Sequence, residues 1–110
     1  MLGEEDEQDA AEEFISDFQE HFRGQTGVSA SYSLNIADEN RSLIVEVDGD
    51  KLSCYYGEKE NSDVQVRLSK SIVQNIIKGE MTLQRAFMSG EVTAKGDFKT
   101  LRNFDMFFQF

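Results

Sequence analysis

Val28-Ser29-Ala30-Ser31-Tyr32-Ser33-Leu34-Asn35-Ile36 alternates apolar and polar residues without a break. Successive side chains of a strand point to opposite faces. Val28, Ala30, Tyr32, Leu34 and Ile36 therefore share one buried face, and Ser29, Ser31, Ser33 and Asn35 share a wet one. The same alternation recurs downstream. After a turn at Asp38-Glu39-Asn40, Leu43, Val45 and Val47 flank Glu46. Asp48-Gly49-Asp50 is a tight-turn signal. Leu52, Cys54 and Tyr56 follow, then a polar loop from Gly57 to Ser62, then Val64, Val66 and Leu68 alternating with Gln65 and Arg67. Three hairpin-type connections predict an antiparallel meander of these four strands.

The flanks of this region change period. Upstream, Phe14, Phe18 and Phe22 recur every four residues beside Ala11 and Ile15, with Glu12, Glu13, Asp17 and Glu20 turned away. That spacing predicts an amphipathic helix from Ala10, stopped by Gly24 and Gly27. Downstream, Ile72, Val73, Ile76 and Ile77 predict a helix capped by Ser69 or Ser71 and ended by Gly79. Leu83, Ala86 and Phe87 predict a short helix between Thr82 and Gly90. Val92, Ala94 and Gly96 read as a fifth strand, and Phe98 to Phe108 as a last helix. No proline contradicts these elements.

The order is α-β-β-β-β-α-α-β-α. Strands with one apolar face need helices on that face only. The expected class is α+β: a five-stranded, largely antiparallel sheet with helices packed on one face, the two helices before the fifth strand making a crossover. Residues 1–9 are an acidic lead, frayed or forming a solvated first turn, and residues 10–110 are read as one domain.

Composition narrows the function. Residues 1–63 carry 17 acids and 4 bases, whereas residues 64–110 carry 4 acids and 7 bases. A chain of net charge −10 does not suit binding driven by phosphate neutralisation, so no nucleic-acid partner is expected. Cys54 is the single cysteine, which forbids an internal disulfide and suits a reducing compartment. No signal peptide and no apolar run of membrane-spanning length is visible. The expected location is cytoplasmic.

Catalytic and metal signatures are missing. His21 is the single histidine, so a histidine triad or multi-histidine metal site is not available within one chain, and the residue reads as a surface side chain. Cys54 sits on the inward alternation of its strand with no base or helix terminus in view to form a thiolate. Gly90 and Gly96 lack the Lys-[Ser/Thr] ending of a phosphate loop. The acids from Glu4 to Glu20 do not follow calcium-loop spacing. No cofactor, metal or catalytic activity is expected.

From Asp63 onward the residues follow a specific pattern: Asp63-Val64-Gln65-Val66-Arg67-Leu68, a helix ending Lys78-Gly79, Met81, Gln84-Arg85-Ala86-Phe87, Gly90, the strand Val92-Thr93-Ala94-Lys95, then Gly96-Asp97-Phe98 and Leu101. This stretch resembles the sterol carrier protein 2 family in residue type and spacing, without a gap from Asp63 to Leu101. The resemblance implies a five-stranded sheet covered by helices over a hydrophobic tunnel, and binding of fatty acids, fatty acyl groups, sterols or other lipids without catalytic residues. The sequence ends at Phe110 without a peroxisomal Ser-Lys-Leu signal, which points to a stand-alone, prokaryotic type of use with a ligand other than sterol.

Under that reading the apolar lining is drawn from Phe14, Phe18, Ile76, Ile77, Phe87, Leu101, Phe104 and Phe108, with Gln84 and Arg85 at a polar mouth. The same side chains equally suit an ordinary core. Phe98, Leu101, Phe104 and Phe108 form a stripe that Met106, Phe107 and Phe110 widen almost all round, more than one helix face needs. The surplus suits a lid on a ligand, a dimer contact or a membrane-touching edge. The expected function is non-catalytic binding or transfer of a fatty-acid, fatty-acyl or isoprenoid lipid. The alternative is an accessory or homo-oligomeric protein whose Phe-rich end binds a partner enzyme or a second copy.

Overall fold

The computed structural model describes residues 14–24, 27–59 and 61–110. Helix α1 covers 14–20, and strands β1 (Ser29–Ile36), β2 (Arg41–Asp48), β3 (Lys51–Tyr56) and β4 (Val64–Leu68) follow. Next come α2 (Lys70–Ile77), α3 (Leu83–Met88), β5 (Thr93–Gly96) and α4 (Phe98–Phe107). The element order is the one the periodicities predict. The acidic lead, the helix start at Ala10 and the positions of Ala11, Glu12 and Glu13 lie outside the described residues.

Helix starts are set by local chemistry. Of the two candidate serines it is Ser69 that caps α2, its Oγ accepting from Ile72 N at 3.3 Å. Thr82 Oγ1 accepts from Arg85 N at 3.1 Å at the start of α3. Such caps contribute about 1 kcal/mol each. Asp97 caps α4, accepting from Lys99 N at 2.9 Å and from Thr100 Oγ1 at 3.1 Å. Those two donors hold its carboxyl below the ordinary range.

The sheet is five-stranded in the order β3-β2-β1-β4-β5. The β1–β2, β2–β3 and β4–β5 pairs are antiparallel, but β4 lies parallel to β1. The expected meander therefore ends at β3. Register explains the choice: Tyr32, Leu34 and Ile36 stand beside Val64, Val66 and Leu68, so each apolar residue meets another on the same face. To reach that edge, the β3–β4 connection crosses the outer face of the sheet. It is pinned there by Ser33 Oγ against Ser62 Oγ at 2.7 Å and by Lys59 Nζ against Glu46 at 3.5 Å. Ser31 and Asp63 close the crossing with reciprocal bonds of 3.0 and 2.9 Å. Ile44, on the outer face, is buried beside this segment. The α2–α3 connection does not make the expected crossover either, because β5 returns antiparallel beside β4. Val92 precedes β5 and packs into the core.

Tyr32, Leu34, Leu43, Val45, Val64 and Val66 on the inner face meet Phe18, Leu83, Ala86, Leu101, Phe104 and Phe107 from the helices in one cluster. Among the described residues no polar or charged residue is buried. The Tyr32 hydroxyl keeps a partner by donating to Thr100 O at 2.6 Å. Asp105, half-buried on α4, accepts from Leu83 N at 2.9 Å and Gln84 N at 3.0 Å. It thereby ties α4 to the first turn of α3, although burial pushes its carboxyl above the ordinary range.

The phase of α4 differs from the expected stripe. Leu101, Phe104 and Phe107 are buried while Phe98 is 54% exposed. The chain then turns extended at Phe108 (φ −129°, ψ 141°), which ends the helix and buries two consecutive phenylalanines. Phe108 forms an isolated antiparallel bridge with Phe22, and Gln109 N donates to His21 O at 2.9 Å. His21 is correspondingly not a free surface side chain. Its Nδ1 lies 3.1 Å from Gln109 O, and its ring sits 5.2 Å from that of Phe110.

Candidate functional site

Apolar side chains from α1, α2, α3 and α4 converge on the inner sheet face. Phe14, Phe18, Ile76, Leu101, Phe104 and Phe108 are all buried there, and Ile77 and Phe87 are half-buried against them. Phe18 is the hub: its ring stands edge-on to Phe104 (6.0 Å), Phe108 (5.2 Å) and Phe110 (5.8 Å). Tyr32 meets Phe104 at 5.0 Å in the same manner. Edge-to-face pairs at these distances add to the stabilisation from burial alone. Phe87 lies at the α3–α4 seam, 5.4 Å from Phe98. Gln84 is half-buried there and its amide reaches Met88 Sδ at 4.0 Å, whereas Arg85 is exposed.

The inner face is less completely covered along β3, where Leu52, Cys54 and Tyr56 are all half-buried. Alternation placed these three inward but gave no sign of this gap in cover. The Tyr56 hydroxyl is itself buried and, among the described residues, makes no hydrogen bond of ordinary geometry, the Arg41 side chain being its polar neighbour. The Arg41 guanidinium covers its ring at 4.8 Å, and burial pushes the phenol up to about 12. A buried hydroxyl without a good partner costs roughly 1–3 kcal/mol.

A concavity lies on the opposite, outer side of the sheet. This open groove of about 580 Å³ runs between the β3–β4 crossing and β4–β5, with Asn35, Gln65, Arg67, Thr93 and Lys95 in its wall. Its lining is that of a solvated sheet face and does not suit an aliphatic chain. Among the described residues no group of three or more His, Cys, Asp or Glu is placed to hold a metal ion.

A family model described as the SCP-2 sterol transfer family matches residues 20–109. The chain belongs to the SCP-2 sterol transfer family. No curated protein sequence matches it. Solved structures carry the same SCP-2 fold at low identity. The sec-alkylsulfatase Pisa1 from Pseudomonas sp. matches with a TM-score of 0.67 and 22% identity, covering 77% of this chain but 14% of that enzyme. The palmitated SCP2L2 from Aedes aegypti matches at 0.57 and 22%, over 72% of this chain and 71% of that one. Sterol Carrier Protein 2 from Yarrowia lipolytica in its apo form matches at 0.57 and 18%, over 90% and 76%. Lipid binding or transfer is the general activity that this family supports. Among the described residues no helix is long and apolar enough to cross a membrane.

Within this SCP-2 domain Cys54 behaves as a small hydrophobe. Burial raises its thiol from 9.0 to about 12, the opposite of what a nucleophile needs. The folded protein holds this proton while the unfolded chain releases it above the ordinary thiol value. The stabilising contribution is therefore complete below 9.0 and declines as pH rises from 9.0 towards about 12. Between about pH 8 and about pH 10 the loss from this group is expected to be about 1 kcal/mol. Urea melts of the wild type and Cys54→Ala at both pH values check it. An equal loss in the two proteins would show that the thiol is not the group responsible.

Proposed function

We propose that this chain binds or transfers, without catalysis, an apolar lipid of the fatty-acid, fatty-acyl or isoprenoid type. The ligand lies between the inner sheet face and the helices, among Phe14, Phe18, Ile76, Ile77, Phe87, Leu101, Phe104 and Phe108. Gln84 and Arg85 stand at a polar mouth. The observation that carries this reading is the wholly apolar interior in a member of a lipid-transfer family, with the buried Tyr56 hydroxyl at its edge beside Arg41. Each methylene taken from water contributes about 0.8 kcal/mol, enough for part of an acyl chain to bind after the costs of association. The Tyr56 hydroxyl is then the donor for a ligand carboxyl or hydroxyl.

The alternative reading, an interaction protein working through its Phe-rich end, is less favoured. Phe107 and Phe108 are buried and Phe110 is half-buried, against α1 and the residues that follow it, so little of the expected surplus is left for a partner.

Native mass spectrometry of the purified protein is expected to show a co-purified lipid. In a thermal-shift assay, a fatty acid at about a hundred times its Kd is expected to stabilise by about 2.7 kcal/mol. Tyr56→Phe is expected to keep the fold and to weaken a carboxyl-headed lipid by roughly tenfold, the scale of one buried hydrogen bond. A clean apo mass together with no stabilisation by any acyl chain tried would sink the proposal.

A further inference from the structure

Alternation assigns each residue of the five strands to one face of the sheet. Among the described residues, Arg41 is the one charged side chain whose strand position points inward, on the face of Leu43, Val45 and Val47. It opens β2 opposite Ile36, the last residue of β1. That places it at the rim of the apolar interior, with its side chain 36% exposed. The strip of inner face that is least covered leads to it. Leu52, Cys54 and Tyr56 lie half-buried in line along β3, and the Arg41 guanidinium closes that line, 4.8 Å from the centre of the Tyr56 ring. An uncharged strip that ends in a guanidinium has the outline of an amphiphile with an acid head.

We infer that Arg41 selects a lipid by its carboxylate head, the acyl chain lying along β3. The inference rests on the lipid-binding reading above, and narrows it to one ligand class with one anchor. Arg41 is free to take that role because the protein holds its charge loosely. Its ion pair, from Nε to Glu39 Oε2, is 3.8 Å long, whereas charge-assisted hydrogen bonds close to about 2.7–2.9 Å. Glu39 has a nearer partner in Lys70 Nζ at 3.2 Å, and the neighbouring Asp38 carboxylate accepts from Lys70 N at 2.8 Å. A ligand carboxylate that takes the Arg41 fork therefore leaves Glu39 with Lys70, and no acid is stripped of its partner. The planar fork matches a carboxylate in bidentate fashion, and the Tyr56 ring beneath it fixes its plane. A hydroxyl head can accept from the same fork but brings no charge to it, so it gains less.

Calorimetric titration with dodecanoate and with dodecanol, two ligands of one chain length and different heads, tests it. Wild-type protein is expected to bind dodecanoate at least about tenfold more tightly than dodecanol, the scale of a hydrogen bond to a charged group. Arg41→Gln is expected to erase that preference, lowering dodecanoate affinity about tenfold or more and leaving dodecanol within about twofold. Its melting curve is expected to match the wild type, since an exposed ion pair of this length contributes little. Arg41→Lys, which keeps the charge and loses the fork, is expected to fall between the two. Arg85→Gln, on α3, is expected to leave both affinities unchanged. Equal affinity of the wild type for the two ligands would overturn the inference and leave the lipid reading standing. So would a dodecanoate preference that survives Arg41→Gln, or one that is lost in Arg85→Gln instead, since that sets the head at α3. Binding of neither ligand, nor of any longer chain, refutes the lipid reading itself and the inference with it.

Discussion

Phe104→Ala is expected to destabilise the protein by about 3–5 kcal/mol, the range for removing a buried aromatic ring from a packed core. Phe104 is 1% exposed and touches the rings of Tyr32, Phe18 and Phe108. Its loss opens a void between sheet and helices that those neighbours fill only in part. A domain of ordinary size holds about 5–15 kcal/mol of net stability, so the variant is expected near the edge of folding. Met106→Ala, two residues on and 56% exposed, is expected to change stability by less than about 0.5 kcal/mol. Urea unfolding of the pair reads the phase of α4 directly. Comparable losses in the two would mean that the helix is rotated. The same experiment separates lining from plain core. If Phe104 borders a ligand space, the void enlarges that space, and added fatty acid is expected to restore part of the lost stability by mass action. If it is core alone, the fatty acid leaves the midpoint where it was.

The elements around Phe104 were legible because each is a local signal. The alternation from Val28 to Ile36 names the buried face of a strand from nine residues. The spacing of Phe14 and Phe18 does the same for a helix. Thr82 and Asp97 cap the helices that follow them because the geometry of a cap reaches no further than three residues. The order of strands was not legible beyond β3. Alternation states which face a residue belongs to but carries no label for its neighbour, and β4 chose the free edge of β1 rather than that of β3. The crossing of the outer face by residues 57–59 and 61–63 follows from that choice alone. It explains why Ser31, Ser33 and Ser62, which read as solvated polar positions, are hydrogen-bonded to one another or to Asp63.

The site was half legible for the same reason. Apolar residues at the right spacing identified the side chains that gather on the inner face, since burial and lining demand the same chemistry. The tail was harder. An aromatic run from Phe98 to Phe110 predicts surplus apolar surface, but its sequence does not announce that the chain leaves the helix at Phe108 and pairs with Phe22. That contact spans most of the chain. It turns the surplus inward and leaves Phe98, Met106 and Met88 as the exposed remainder. Asp105 and the Tyr56 hydroxyl escaped attention because their roles depend on what stands opposite: two amides of α3 in one case and the Arg41 side chain in the other.

Gly96→Ala is expected to be the most damaging change available at a residue without a side chain. Gly96 ends β5 at φ +117°, where an added Cβ would lie 2.1 Å from Asp63 O and 3.1 Å from Val64 Cα. Two costs act together. The backbone conformation is one that L side chains rarely adopt, at roughly 1–3 kcal/mol. The clash is with backbone that cannot rotate away: Asp63 O accepts from Asp97 N at 3.1 Å, and Val64 is the register partner of Gly96. Relief requires β5 to move off β4, which also displaces the Asp97 cap and the start of α4. Gly90 supplies the control. It too has positive φ, +82°, but nothing lies within 4 Å of its would-be Cβ. Gly90→Ala therefore isolates the conformational cost, about 1–2 kcal/mol, and Gly96→Ala is expected to exceed it by at least about 2 kcal/mol, the steric part. Equilibrium unfolding of the two variants measures the difference. Equal losses would mean that β4 and β5 part at this end without cost. The Gly-Asp turn would then be conformational alone, and not the clamp that sets α4 over the apolar interior.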